Sequence, residues 1–209
     1  MNIRNIAVHN TGGTQSDPGA SSQSMTQKQV NDYHKSKWDF KSDLGRYGGY
    51  NFFIEKDGSV TQFRKVGEET AAQYGHNFDT VSICLAGNFS VMSMDIPTRA
   101  QELALVNIME WLFQYGKGIQ NKVYSVKDGT TFDLDVSRIY PHRLLQVGTE
   151  CHGLKLKDTW ARDLYMKELG IPALMRIIAG LRQQLSLLLN EKKRKVLGSE
   201  DRGCDAIIG

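Results

Sequence analysis

The sequence is poor in cysteine and proline. Three cysteines (Cys84, Cys151 and Cys204) and four prolines stand among 209 residues. An odd, sparse set of thiols excludes the disulfide framework that staples small secreted domains. No run of about 20 apolar residues occurs, which excludes a membrane-spanning helix. The opening Met1-Asn2-Ile3-Arg4-Asn5 has no apolar signal region, so the expectation is synthesis in a reducing cytoplasm, with action outside the cell dependent on release by another agent. Neither sign of charge dominates. The net charge of +3 suits an anionic partner, cell wall or nucleic acid, without choosing between them. No internal repeat is found. A hydrophobic fraction of 40% with 23% charged residues excludes disorder. The length suits one domain with a sizeable core and an appendage.

What is present alternates strand and helix signals. Residues 3–9 contain the apolar run Ile6-Ala7-Val8 and read as a buried first strand that ends on His9. Asn10 to Ser24 is a loop rich in Gly, Ser, Thr and Asp. Thr26 with Gln29 forms a capping box that opens a helix reaching Trp38. Gly45 to Gly49 reads as a flexible segment. Tyr50 to Ile54 and Ser59 to Arg64 are strands joined by the Asp57-Gly58 hairpin turn. Thr80 to Ala86 reads as a fully buried central strand. Thr98 opens a second helix with Leu103, Val106, Met109, Leu112 and Phe113 at helical spacing, ending near Gly116. Ile139-Tyr140-Pro141-His142 is extended, because the residue before a proline avoids the helical region. Asp158 is read as the cap of a helix that runs to Leu169.

His142 and Cys151 can serve as two ligands of one metal, and His9 at its strand end can supply a third. Zinc favours nitrogen and thiolate donors. Three protein ligands leave its fourth position open, as in catalytic rather than structural sites. Such an ion lowers the pKa of water and polarises a carbonyl, which suits amide hydrolysis. Spacing alone leaves the alternative open: a polar strand end and a core thiol.

The segment from Ile6 to Gly13 resembles the first metal motif of the zinc N-acetylmuramoyl-L-alanine amidases, a family that includes phage lysozyme-type amidases and the animal peptidoglycan recognition proteins. Gly49 to Val60 is similar to that family's tyrosine-bearing strand and hairpin, Gly75-His76-Asn77 with Thr80 to Phe89 to its central strand, and Pro141-His142-Arg143 with Thr149 to Gly153 to its closing motif. The blocks keep family order over residues 3–165. The resemblance implies an α/β fold, a central mixed β-sheet flanked by helices, with one Zn²⁺ held by His9, His142 and Cys151. It implies that Tyr50 donates a hydrogen bond to the oxyanion and that Thr149 helps to hold it. No carboxylate stands out as a general base. The implied activity is hydrolysis of the bond between N-acetylmuramic acid and L-alanine, as in a phage endolysin or in a recycling enzyme acting on wall fragments. The implied partner is peptidoglycan or a muropeptide, not nucleic acid.

Some features depart from the family pattern. The spacing from His142 to Cys151 is one residue longer, His152 replaces a proline, Ala72 stands near a common histidine, and Asn51 replaces another. These bear on the substrate cleft more than on the metal. Of the remaining chemistry-bearing residues, His34 is expected at the surface, Cys84 in the core, and His76 either variable or in contact with substrate. Trp111 and Trp160 are expected as packing residues, and Trp38 as the one nearest a sugar cleft. Domain limits are expected at 1–170 for the amidase domain and 171–209 for a C-terminal amphipathic helix and tail. That helix, with apolar residues from Leu174 to Leu189 and a basic end, packs on the domain, mediates self-association, or meets a membrane surface through its basic end. Two readings compete with the enzyme: a non-catalytic peptidoglycan-binding module, and a virion-associated structural component. Loss of the metal cysteine accompanies recognition-only members of the family; Cys151 is retained here.

Overall fold

The structure is a computed structural model that describes residues 1–119, 121–169 and 185–186. The chain divides into two compact units, Met1–Tyr165 and Met166–Gly209. The C-terminal stripe expected beyond residue 173 falls outside the described residues apart from Leu185 and Ser186.

The first unit is built on a mixed five-stranded sheet. Its strands are β2 (Asn5–Asn10), β3 (Phe52–Ile54), β4 (Val60–Gln62), β5 (Thr80–Leu85) and β7 (Ile139–Pro141), in the order β4-β3-β5-β2-β7. Only β3 and β4 run antiparallel, joined by the Asp57-Gly58 turn. A separate two-stranded parallel pair joins β1 (Asn2–Ile3) to β6 (Thr131–Phe132). The expected first strand is therefore two strands. The N–H groups of Arg4 and Asn5 both turn to the Asp79 carbonyl, which breaks the extended ladder there.

The helices are α1 (Gln27–Trp38), α2 (Arg99–Gly116) and the single turn α3 (His142–Leu145). Residues 160–169 are also helical. Both long helices start at the threonines read from the sequence, each with its reciprocal glutamine bond: Thr26 with Gln29 and Thr98 with Gln101. Gln101 further donates its amide N–H to the Ala86 carbonyl at 2.8 Å, tying α2 to the end of β5. Two details of the helical reading change. Leu103 is exposed, and Leu105 and Ile108 join Val106, Met109, Leu112 and Phe113 on the buried face. Asp158 does not cap: its carboxylate takes the Arg143 guanidinium at 2.6 Å.

Every residue of β5 is buried, as a parallel strand covered on both faces requires. Phe52, Phe53, Ile54, Val81, Ile83 and Leu85 form the middle of the core. The carboxylate of Asp95 is buried and gathers three donors: the Ser21 hydroxyl at 2.5 Å, the Ser22 N–H at 3.0 Å and the Asn88 N–H at 2.8 Å. It thereby ties the loop after β2 to the segment after β5. Asp95→Ala is expected to lower stability by about 2–3 kcal/mol, because charge-assisted bonds are lost and buried N–H groups are left bare. Urea unfolding at neutral pH measures this.

Candidate metal centre and cleft

Sheet register assembles the site. Strands β2 and β7 are parallel, with Val8 opposite Pro141. The next residues along, His9 and His142, therefore meet at the C-terminal ends of neighbouring strands, with ring centroids 4.5 Å apart. His142 leaves the sheet because Pro141 is followed at once by α3, a turn that the sequence reading did not include.

Cys151 returns on a loop held from several sides. The Arg143 N–H donates to the Cys151 carbonyl at 2.7 Å. The Arg143 guanidinium donates to the Gly153 and Leu156 carbonyls, each at 2.9 Å. The Lys155 ammonium reaches the Ser93 and Asp95 carbonyls, and the Lys155 N–H bonds the Phe89 carbonyl at 3.1 Å. Gly153 has φ +90° and lies so close to the Phe89 carbonyl that a Cβ would collide with it, so this approach requires glycine.

The ligand atoms of His9, His142 and Cys151 all lie within 4.8 Å of one another, and Cys151 Sγ is 3.8 Å from His9 Nδ1. The Asn10 N–H donates to the same sulfur at 3.3 Å. Burial, followed by the proximity of His142, holds the His9 pKa well below its usual value. Burial also lowers that of His142. Both rings are therefore neutral at pH 7, the state in which imidazole binds a metal. Burial pushes the Cys151 thiol up to about 12. A nucleophilic cysteine needs the reverse, a lowered pKa beside a cationic partner, and neutral His9 provides none. Two neutral imidazoles and one thiol, converged and dehydrated, match a zinc donor set. They do not match a cysteine–histidine nucleophile pair.

Tyr50 stands beside this group, its ring centroid 5.2 Å from that of His9. Burial raises the pKa of its hydroxyl well above the usual value. It remains a donor at any pH of interest. Cys84 is buried in the core as expected, but it is also registered beside His9 across β2 and β5, directly under the site. Thr149 Oγ1 accepts the Cys151 N–H at 3.2 Å.

His34 is the clearest correction. It is buried, not at the surface, and lies between Tyr33, Trp38 and Tyr50 at ring distances of 5.6, 4.6 and 5.4 Å. Its Nδ1 accepts the Gly49 N–H at 2.9 Å, so the glycine segment expected to be flexible is tied to α1. Arg64 holds the same segment through the Gly48 carbonyl at 2.8 Å. His34, Tyr33, Gln29 and Val30 of α1, the loop after β2, and Tyr50 enclose a cleft of about 570 Å³. Thr11, Thr14, Ser21, Ser22 and Ser24 are among its lining residues. Trp38 borders His34 but is not part of the cleft lining. His76 pairs with Asp79 at 3.3 Å. Asn51 is a structural residue: its side chain accepts the Ser82 N–H and donates to the Lys65 carbonyl. Trp111 is buried, and Trp160 meets the His152 ring edge-on.

The family model Amidase_2, N-acetylmuramoyl-L-alanine amidase, matches residues 1–153. No curated protein matches the chain. Among solved structures, the Ph2119 endolysin from the Thermus scotoductus MAT2119 bacteriophage Ph2119 superposes with a TM-score of 0.52 at 16% identity, over 79% of this chain and 86% of that one. The N-acetylmuramoyl-L-alanine amidase LysC from Clostridium intestinale URNW gives 0.49 at 18% identity, over 80% and 96%. The bumblebee protein PGRP-SA gives 0.49 at 21%, over 74% and 77%. The endolysin shares the α/β fold with its mixed central sheet. With the family match spanning the whole sheet and all three converged side chains, the chain belongs to the N-acetylmuramoyl-L-alanine amidase family.

Proposed function

We propose that this protein hydrolyses the amide bond between N-acetylmuramic acid and L-alanine in peptidoglycan, using one zinc held by His9, His142 and Cys151. The observation that carries the reading is the convergence of two neutral imidazoles and a thiol within 4.8 Å at the ends of β2 and β7. Bound there, zinc supplies a Lewis acid that polarises the amide carbonyl and activates water.

The chain's own side chains do the rest. Tyr50 keeps its proton and donates it as a hydrogen bond to the oxygen on which charge develops. Thr149 Oγ1 accepts the Cys151 N–H, which holds the backbone at Cys151 and leaves the hydroxyl proton to donate to the same oxygen. The cleft beside Tyr50 is lined by hydroxyls, amides and aromatic faces, groups that match sugar hydroxyls and peptide bonds. Its one imidazole, His34, is held neutral by burial, with a pKa of about 4.

Incubation of the purified protein with bacterial cell wall is expected to release new L-alanine amino termini without new reducing sugars. Reducing ends would mean glycosidic cleavage and would overturn the assignment. Binding to the wall without release of either product would favour a recognition module instead.

A further inference from the structure

Both metal-facing imidazoles are held from behind by a glutamine. His9 Nε2 lies 3.2 Å from Gln73 Oε1, and His142 Nε2 lies 2.9 Å from Gln146 Oε1. The orientation of each amide is dictated by groups that can play only one role. Gln73 Nε2 donates to the His76 carbonyl at 3.1 Å, so its NH₂ faces that way and its oxygen faces His9. The Ser82 hydroxyl donates to the same oxygen at 2.8 Å. Gln146 Oε1 accepts the backbone N–H of Tyr74 at 2.8 Å, so it too is the oxygen end. Facing an acceptor, each imidazole must carry its proton on Nε2. Nδ1 is then the lone-pair nitrogen, and in His9 that nitrogen is the one facing Cys151 Sγ.

Both relays start from one short turn. Gln73 supplies the acceptor for His9, and its neighbour Tyr74 supplies the N–H that anchors Gln146. Asn77 holds the turn shut: its side-chain oxygen accepts the Ala72 N–H at 3.1 Å, the Gln73 N–H at 2.9 Å and the Thr70 hydroxyl at 3.2 Å. Gln73 is buried and Gln146 half-buried, so the first relay is shielded from water.

The geometry points to Gln73 and Gln146 as positioning residues that lock His9 and His142 in the Nε2–H tautomer, with the turn at residues 70–77 as their common frame. This rests on the metal site proposed above. A metal-binding histidine needs its second nitrogen engaged so that ring orientation and basicity are set, and loss of such a partner weakens metal binding by about 10–100-fold. Amide oxygens do this without adding charge to a site that already contains a thiolate donor.

The test uses the full chain and two readouts. Zinc affinity is measured by chelator competition for wild type, Gln73→Leu, Gln146→Leu and Gln146→Glu. Both leucine variants are expected to bind zinc about 10–100-fold more weakly, while the glutamate, which still presents an oxygen to Nε2–H, stays near wild type. In parallel, imidazole ¹⁵N spectra of the metal-free, ¹⁵N-labelled chain report tautomers directly. Wild type is expected to show both rings as Nε2–H, and each leucine variant a mixture at its own histidine. Gln146 is half-buried at the end of a single turn, so its variant folds even if Gln73→Leu does not. Unchanged zinc affinity and unchanged tautomers in a folded leucine variant would overturn the role while leaving the metal site standing. A wild-type chain that takes up no zinc would remove the metal reading, and the tautomer spectra would then decide the glutamine role alone.

Discussion

Cys151→Ser is expected to empty the metal centre and abolish hydrolysis while leaving the fold in place. In the proposed site the sulfur is one of three donors, and at about 12 its thiol pKa places it among groups that ionise only when a cation pays the cost. Serine ionises far less readily, so the substituted site offers zinc two neutral nitrogens and a hydroxyl. Zinc content should fall from about one per chain to near zero, and amide hydrolysis by at least about 1,000-fold, a barrier increase of about 4 kcal/mol. Folding should survive, because the contacts of the sulfur with His9 and Asn10 can be replaced by those of an oxygen. The Asn10 N–H, which bonds it at 3.3 Å, finds an oxygen acceptor instead. The loop around it is held by Arg143 and Lys155 through carbonyls that the substitution does not touch. His142→Ala provides the complementary test from the other wall of the site. Elemental analysis, wall hydrolysis and thermal unfolding on the same samples separate the outcomes. A serine variant that retains both full zinc and full activity would show that Cys151 is not a ligand.

Much of this was legible in the sequence because it depends on local rules. The capping boxes at Thr26 and Thr98, the Asp57-Gly58 turn and the continuous apolar run of β5 each announce themselves within a few residues. The meeting of His9 and His142 was legible for a different reason. His9 ends an apolar run and His142 follows a proline, so both sit at strand ends, and parallel pairing then brings those ends together. What was missed depends on tertiary partners that no spacing encodes. His34 lies on a mostly polar helix, and nothing near it in sequence says that Gly49, just before Tyr50, would donate to it. Gln73 is one polar residue in a polar turn; its meaning comes from Ser82 and His9, which approach from two neighbouring strands. Gln146 carried a faint signal, since it stands four residues after His142, one helical turn away, but a turn of that length has no pattern of its own. Asp158 shows the opposite error. Its local sequence fits a helix cap, and the half-buried Arg143 made the stronger claim on its carboxylate.

The remaining large effect is on stability in acid. Buried His34 and His152 are both held at about 4, against an ordinary value of 6.5. Burial is the main cause in each, followed by Lys37 for His34 and Arg143 for His152. Protonated His34 would set an N–H against the Gly49 N–H, and protonated His152 would set its Nδ1 against the Arg143 guanidinium 3.3 Å away. Between the two pKa values the unfolded chain therefore binds these protons and the folded chain does not. Stability is full above pH 6.5, falls as pH drops, and stops falling on this account below about 4. Each group contributes a slope of about 1.4 kcal/mol per pH unit, so the pair gives about 3 kcal/mol per unit. Over the whole window each is worth about 3 kcal/mol, and together they rival the total stability of a typical domain. Carboxylates do not confuse the window. Asp95, whose pKa its hydrogen bonds lower despite burial, holds its contribution down to its ordinary value of 3.8 and loses it only below that. Urea unfolding at pH 7, 6 and 5 should show this decline in wild type. His34→Asn places an amide oxygen about where Nδ1 sat, still accepts the Gly49 N–H, and cannot titrate. Its slope should be shallower by about one proton, or about 1.4 kcal/mol per pH unit. An unchanged slope in that variant would mean that His34 takes up its proton in the folded protein as readily as in the unfolded chain, contrary to its burial between Trp38 and Tyr50.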